Sequence, residues 1–172
     1  CDRHHGAPYD DDGRWAASGR VDAALLTGLL SESYFARTPP KSTGRDLFGL
    51  PWIEQALTAA ANGADRAPVD VQATLAELTA TTIACACQAF GAQEVWICGG
   101  GALNGHLMGR LAARAAPVPV SSTAALGIPP LAVEAIAFAW LARERLAGRA
   151  ASLPAVTGAR AARVLGALYP AP

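Results

Sequence analysis

The stretch Val95-Trp96-Ile97-Cys98-Gly99-Gly100-Gly101-Ala102-Leu103-Asn104 decides how this chain is read. Val95 to Cys98 are apolar, β-branched or aromatic, which suits a strand in a sheet covered on both faces. Gly99 to Gly101 then remove the Cβ atoms where the chain turns, so another group can approach the backbone closely. Ala102 to Ala116 reads as a helix. Its first N–H groups have no intrahelical partner and lie at the positive end of the helix dipole. Strand, glycine turn and helix together form a recurring arrangement for holding phosphate.

No standard phosphate-loop pattern fits the glycines. A dinucleotide fingerprint needs G-x-G-x-x-G, and Asn104 stands where its third glycine would be. A P-loop needs G-x-x-x-x-G-K-S/T. Lys41-Ser42-Thr43 supplies its ending, but Phe35 and Pro40 occupy the glycine positions. From the residues alone the turn is either a nucleotide site or a plain tight βα connection. Gly101, Gly105 and Gly109 also recur every fourth residue, and for Gly105 and Gly109 the expectation is close packing of the helix on its sheet.

Working outward, Arg14–Ser18 and Val21–Leu30 read as helices split by Gly19. Tyr34–Gly49 reads as a loop built on Pro39-Pro40 and Gly44, and Pro51–Ala61 as a helix. Asn62–Pro68 is a surface connection. Asp70 is expected to cap a long helix from Val71 to Ala89, with Val71, Leu75, Leu78 and Ile83 on or near one face. After the glycine stretch, Pro117 ends a helix and Val118–Ser121 forms a second strand. Pro129-Pro130 opens a last long helix to about Leu146, and a short helix is expected near Ala161–Leu168. The order strand–helix–strand–helix implies a parallel pair joined by a crossover. Two strands cannot form a covered α/β sheet, so the rest of the sheet is expected to lie upstream, outside this chain.

Composition bounds the function. The 172 residues are enough for one domain with a real core, and the formal net charge is zero. No electrostatic footprint for nucleic acid or an anionic membrane is visible, and no apolar run reaches the length of a membrane span. Cys85 and Cys87 lie two apart in a helix, a spacing that suits neither zinc nor a redox pair. The cysteines are expected to be reduced and buried, as in the cytoplasm. The cations are thirteen arginines and one lysine, Lys41. Lys41 is either a chance survivor of an arginine-rich composition or a point charge for phosphate.

Two further groups carry chemistry. Glu134 is the one charged residue of Leu131–Leu141, in the first turn of an apolar helix. Such a carboxylate must be paired, hydrogen-bonded or protonated if it is buried, and a cleft position is expected. At a rim it would simply complement the helix dipole. His4-His5 and Asp10-Asp11-Asp12 could suggest a metal, but adjacent residues point apart and aspartates before a helix usually cap it. No metal ligand is assigned.

Several stretches together resemble the carboxy-terminal half of anhydro-N-acetylmuramic acid kinases. They are Pro8-Tyr9-Asp10, Pro40-Lys41-Ser42-Thr43-Gly44-Arg45, Asp70-Val71-Gln72-Ala73-Thr74-Leu75, Leu78-Thr79-Ala80, and Cys98-Gly99-Gly100-Gly101-Ala102 with Asn104. Glu134-Ala135 with Ala137–Ala142, Val156–Ala159 and Leu165-Gly166 complete the series, in colinear order along nearly the whole chain.

The resemblance implies an α/β fold: the carboxy-terminal part of an actin-like ATPase (ribonuclease H-like) domain, helix-rich with few parallel strands. Residues 1–172 would then be the carboxy-terminal half of a two-domain sugar kinase whose amino-terminal domain is missing. It further implies a cytoplasmic kinase of peptidoglycan recycling that opens the 1,6-anhydro ring of the amino sugar with water and phosphorylates O6. ATP is the implied cofactor, with Mg2+, and the amino sugar and ATP are the partners. Neither nucleic acid nor membrane is expected, and a homodimer is compatible. Gly99, Gly100, Gly101 and Asn104 would form part of the nucleotide site. Glu134 would position substrate or water. Lys41, Ser42, Thr43, Gly44 and Arg45 match a signature loop without an assigned role.

Two departures matter. The family's amino-terminal phosphate loop and the Asp-Thr-Gly-Pro-Gly segment bearing its catalytic aspartate have no counterpart in this sequence. Pro129-Pro130-Leu131-Ala132 stands where family members often carry an acidic residue before the glutamate. The chain alone is therefore expected to be inactive. The alternative is a non-catalytic nucleotide-binding or assembly module derived from such a kinase.

Overall fold

The computed structural model describes residues 1–60 and 66–169. Asn62 to Asp65 of the expected surface connection, and Pro170 to Pro172 of the tail, lie outside the described residues. The helices are α1 (Asp2–His5), α2 (Arg14–Ser18), α3 (Ala23–Leu30), α4 (Ser33–Ala36), α5 (Leu50–Ala60), α6 (Pro68–Phe90), α7 (Gly105–Ala115), α8 (Val133–Leu146) and α9 (Pro154–Thr157). Strands β1 (Val95–Ile97) and β2 (Val120–Ser122) pair in parallel, with Trp96 opposite Ser121, and α7 is their crossover. The expected parallel pair is borne out in a helix-rich α/β chain. The strands are only half-buried, not covered on both faces.

The long helix α6 organises the packing. It begins at Pro68, two residues before the expected cap, because proline's fixed φ and missing N–H suit a first helical position. Asp70, inside the first turn, instead accepts the Arg20 N–H at 2.7 Å. Thr74, fully buried, accepts the Asp22 N–H at 2.9 Å. Gly19 lies so close that a Cβ there would stand 2.3 Å from the Val69 carbonyl oxygen. The Gly19–Asp22 connection is thus sealed to the first turns of α6.

Two apolar clusters share this helix. Leu78 packs with Leu25 and Leu29 of α3, bordered by Phe35, Trp52 of α5 and Leu75. From the next residues of the helix, Ala80 and Ala84 pack with Leu111 and Ala115 of α7, bordered by Ile97 and Val120 of the sheet. Between α6 and α7 the buried Glu77 receives Arg110 Nε and Arg114 Nε, each at 2.5 Å. Burial works to raise the Glu77 carboxyl, and the two guanidinium groups outweigh it, so its pKa lies below the ordinary carboxylate value.

Other expectations fail for local reasons. The helix expected from Ala102 begins at Gly105, preceded by a separate 3-10 turn over Gly100–Leu103. The tail helix falls at Pro154–Thr157, where a proline opens it and Gly158 at φ 72° closes it, and not near Ala161–Leu168. The helix packing expected of Gly105 and Gly109 is not found. Gly109 faces open space, and a Cβ on Gly105 would meet Asp12 Oδ1 at 2.7 Å. Cys85 and Cys98 are exposed, and Cys1 and Cys87 half-buried, so the expected burial of the cysteines is overturned. Glu144 ends α8 and takes Arg149 Nε at 2.5 Å and Arg143 Nε at 3.2 Å. Those bonds, Arg149's first, hold its pKa down to about 2.

Candidate functional site

The glycine turn opens on a cavity of about 750 Å³ lined by Gly100, Gly101, Asn104, Leu103, Leu131, Gln72 and the Pro8–Asp12 segment, together with Cys1. Gly99 takes φ 75° and ψ −172°, a conformation that favours glycine, and its N–H donates to the Pro130 carbonyl at 2.9 Å. Ala102 N–H and Asn104 N–H close on Gly99 and Gly101 carbonyls. The Gly100 and Gly101 N–H groups, at the start of the 3-10 turn, have no hydrogen-bond partner among the described residues. A Cβ on Gly100 would meet nothing within 4 Å. The backbone of Gly100 and Gly101 is therefore open to a ligand, while that of Gly99 is committed to structure.

The start of α7 is occupied by the protein itself. Asn104 Oδ1 accepts the Leu107 N–H at 2.9 Å, and Asp12 Oδ1 accepts the Gly105 N–H at 2.8 Å. Asp12 does so from φ 56°, in the left-handed region that aspartate tolerates better than most residues. Asp10 accepts the Trp15 and Ala16 N–H groups of α2, both at 2.9 Å. Asp10 and Asp12 therefore act as caps, as the sequence pattern suggested, while Asp11 pairs with Arg14 at 3.6 Å. His4 and His5 pack against the Trp15 ring. Among the described residues no group of three His, Cys, Asp or Glu could hold a metal ion.

Glu134 is exposed, its side chain makes no hydrogen bond among the described residues, and it does not line the cavity, although Leu131, three residues before it, does. The cleft burial expected of Glu134 is thus overturned within this chain. Its apolar neighbours do not bury it because they are uncovered themselves: Ile136, Phe138 and Trp140 are all exposed.

The Lys41–Arg45 loop stands apart from the cavity. Lys41 Nζ donates to the Tyr34 and Phe35 carbonyls at 3.1 and 3.0 Å and lies 4.9 Å from the Tyr34 ring centroid. Its charge closes the end of α4, beside stacked Phe35 and Phe48. Ser42, Thr43, Gly44 and Arg45 are exposed. Pro40 touches the tail, where a Cβ on Gly158 would come within 2.9 Å of its Cγ. Lys41→Met is expected to cost about 1–3 kcal/mol by denaturant unfolding, as charged hydrogen bonds are lost from a half-buried position. Lys41→Arg should not restore it, because a planar guanidinium differs in shape from a compact ammonium. A phosphate role would be revived if Lys41→Met left stability unchanged.

Sequence reasoning missed Gln72, Gly13 and Glu77. Gln72 stood in the sequence only as part of a helix pattern and of a stretch that carries the family resemblance, with no role attached. Gly13 carries φ 69°, and a Cβ there would stand 2.3 Å from Asn104 Oδ1. Nothing in the local sequence reports a contact ninety-one residues away.

Comparison with known proteins gives the family. The family model described as anhydro-N-acetylmuramic acid kinase matches residues 1–171. The proteins of that name from Xanthomonas oryzae pv. oryzae and Albidiferax ferrireducens are 54% and 53% identical over 173 residues, each alignment covering 99% of this chain. The one from Variovorax paradoxus is 54% identical over 170 residues, or 98% of this chain. The chain spans 45%, 44% and 44% of these three relatives. The chain belongs to the anhydro-N-acetylmuramic acid kinase family. The matches bear out the family expected from the sequence motifs; they do not bear out the carboxy-terminal placement.

Proposed function

We propose that this chain supplies the nucleotide-side wall of a sugar-kinase cleft. In that reading ATP phosphorylates O6 of an anhydro-amino sugar as water opens its 1,6-anhydro ring, giving N-acetylmuramate 6-phosphate. The observation that carries the reading is the 750 Å³ cavity into which the Gly100 and Gly101 backbone opens, with Asn104 locking the helix behind them. Two unpartnered N–H groups beside an unobstructed backbone fit a phosphate oxygen. ATP, when bound, supplies the transferable phosphoryl group, and Mg2+ would offset its charge without an assigned protein ligand. Phosphoryl transfer depends on positioning and charge stabilisation from both sides of a cleft. The uncovered Ile136, Phe138 and Trp140 of α8 support a one-sided reading, since they form a surface that a further layer would bury. Glu134, exposed on that helix, would approach the substrate only from such an assembly.

Calorimetric titration of the chain with Mg·ATP tests the reading. Saturable binding is expected. Gly100→Val should weaken it at least tenfold, because a branched side chain there, where a Cβ meets nothing of the protein, obstructs the open backbone. No ADP should be released when the anhydro-sugar is added to this chain alone. Absence of ATP binding would overturn the nucleotide-side assignment. Sustained ADP release would overturn the one-sided cleft.

A further inference from the structure

We infer that Gln72 is a base-reading residue: its side-chain amide hydrogen-bonds the edge of the nucleobase in the cavity beside the glycine turn. This inference rests on the nucleotide reading above and goes beyond it by naming the residue that meets the ring and the kind of contact it makes. Gln72 sits on the first turns of α6, half-buried, while its neighbours Ala73 and Thr74 are fully committed to the packed face. Asp70 and Thr74 on the same turns are engaged with the Arg20 and Asp22 N–H groups, whereas the Gln72 amide makes no hydrogen bond among the described residues. It lines the cavity that holds Gly100 and Gly101, and also a neighbouring, more apolar cavity of about 580 Å³. A primary amide carries two donor hydrogens and an acceptor oxygen, and leaving them unpaired in a half-closed site wastes hydrogen bonding that a ligand can supply.

The lining selects the ligand class. Tyr9, Leu103 and Leu131 surround the same cavity and are 68%, 59% and 67% exposed. Large apolar side chains left open around the Gln72 amide favour a ligand with apolar faces and a polar edge, and of the aspartates on the same lining Asp10 and Asp12 are engaged with backbone N–H groups of α2 and α7. A nucleobase has that form: its flat faces lie against apolar side chains and its edge pairs with an amide, as Gln does with adenine N6 and N7.

Calorimetry on the wild-type chain, Gln72→Ala and Gln72→Glu, each with Mg·ATP and with inorganic tripolyphosphate, tests this. The variants should keep the wild-type melting temperature, since no internal hydrogen bond is removed. Gln72→Ala should weaken ATP about tenfold and leave tripolyphosphate unchanged, as expected for losing two hydrogen bonds to the base. Gln72→Glu keeps the length but only accepts, so it should also weaken ATP. Unchanged ATP affinity overturns the inference, as does an equal loss for ATP and tripolyphosphate; a parallel titration with the anhydro-sugar that alone shows a loss overturns it too. A wild-type chain that binds neither ATP nor tripolyphosphate overturns the nucleotide reading itself, and this is seen before any substitution is made.

Discussion

Replacing both Arg110 and Arg114 by Met should destabilise the chain by about 3–5 kcal/mol, more than replacing Glu77 alone. The asymmetry follows from burial. Glu77 is 1% exposed, whereas Arg110 and Arg114 are 40% and 48% exposed. Removing the carboxylate leaves two guanidinium groups that can turn toward water. Removing the guanidinium groups leaves a carboxylate buried between α6 and α7 with no partner, and it must then bear its full desolvation or take up a proton. Converting all three positions together, Glu77→Leu with both arginines to Met, should be near neutral, because no charge is stranded. The pH dependence has a definite sign. In the wild type the folded pKa of Glu77 lies below its ordinary value. Its contribution is therefore present above the unfolded pKa of about 4.3 and is lost as pH falls through the folded value. In the double-Met variant the buried carboxyl is raised, so acidification from neutral pH should recover part of the lost stability. Urea unfolding at neutral and mildly acidic pH measures both. A double-Met variant less affected than Glu77→Leu would contradict the burial argument.

Gly13→Ala is the second large effect. Gly6 and Gly13 take similar backbone angles, φ 63° and 69°. A Cβ on Gly6 meets nothing within 4 Å, so Gly6→Ala reports the left-handed strain alone, about 1–2 kcal/mol. A Cβ on Gly13 would lie 2.3 Å from Asn104 Oδ1 and 2.7 Å from His106 Cβ. It must displace the cap of α7 or the Asp10–Asp12 turn, both of which border the cavity. Gly13→Ala should therefore cost at least 2 kcal/mol more than Gly6→Ala, roughly the loss of a helix cap plus a core collision. It should also weaken ATP binding, which Gly6→Ala should not. Equal thermal shifts for the two variants would remove Gly13 from any role in shaping the site.

These contrasts show how much of the molecule could be read in advance. The glycine turn, the parallel pair and the split of α2 from α3 at Gly19 are written in local patterns: β-branched runs, glycines and apolar spacing. Asp10 as a cap was equally local. The site's walls were not. Gln72 joins Gly100 only because α6 and the glycine turn border one cavity, and Gly13 meets Asn104 across ninety-one residues. Lys41 was open to two readings for a related reason. Lysine beside serine and threonine suggests phosphate, but the nearest acceptors were the carbonyls of a helix end six and seven residues back. Glu134 misled because an apolar sequence on both sides promises burial only if something covers it, and α8 lies bare.

The sharing of α6 by both apolar clusters also bears on how the molecule comes apart. Leu78 belongs to one cluster and Ala80 to the other, with Glu77 tied to α7 just before them. Fraying of α6 from either end would loosen one set of neighbours while still pulling on the other. The helix therefore couples the melting of the α3–α5 layer to that of the strand pair. A ligand that grips Gln72 at one end of α6 would raise protection against hydrogen exchange at Ala84, three turns away, without touching it.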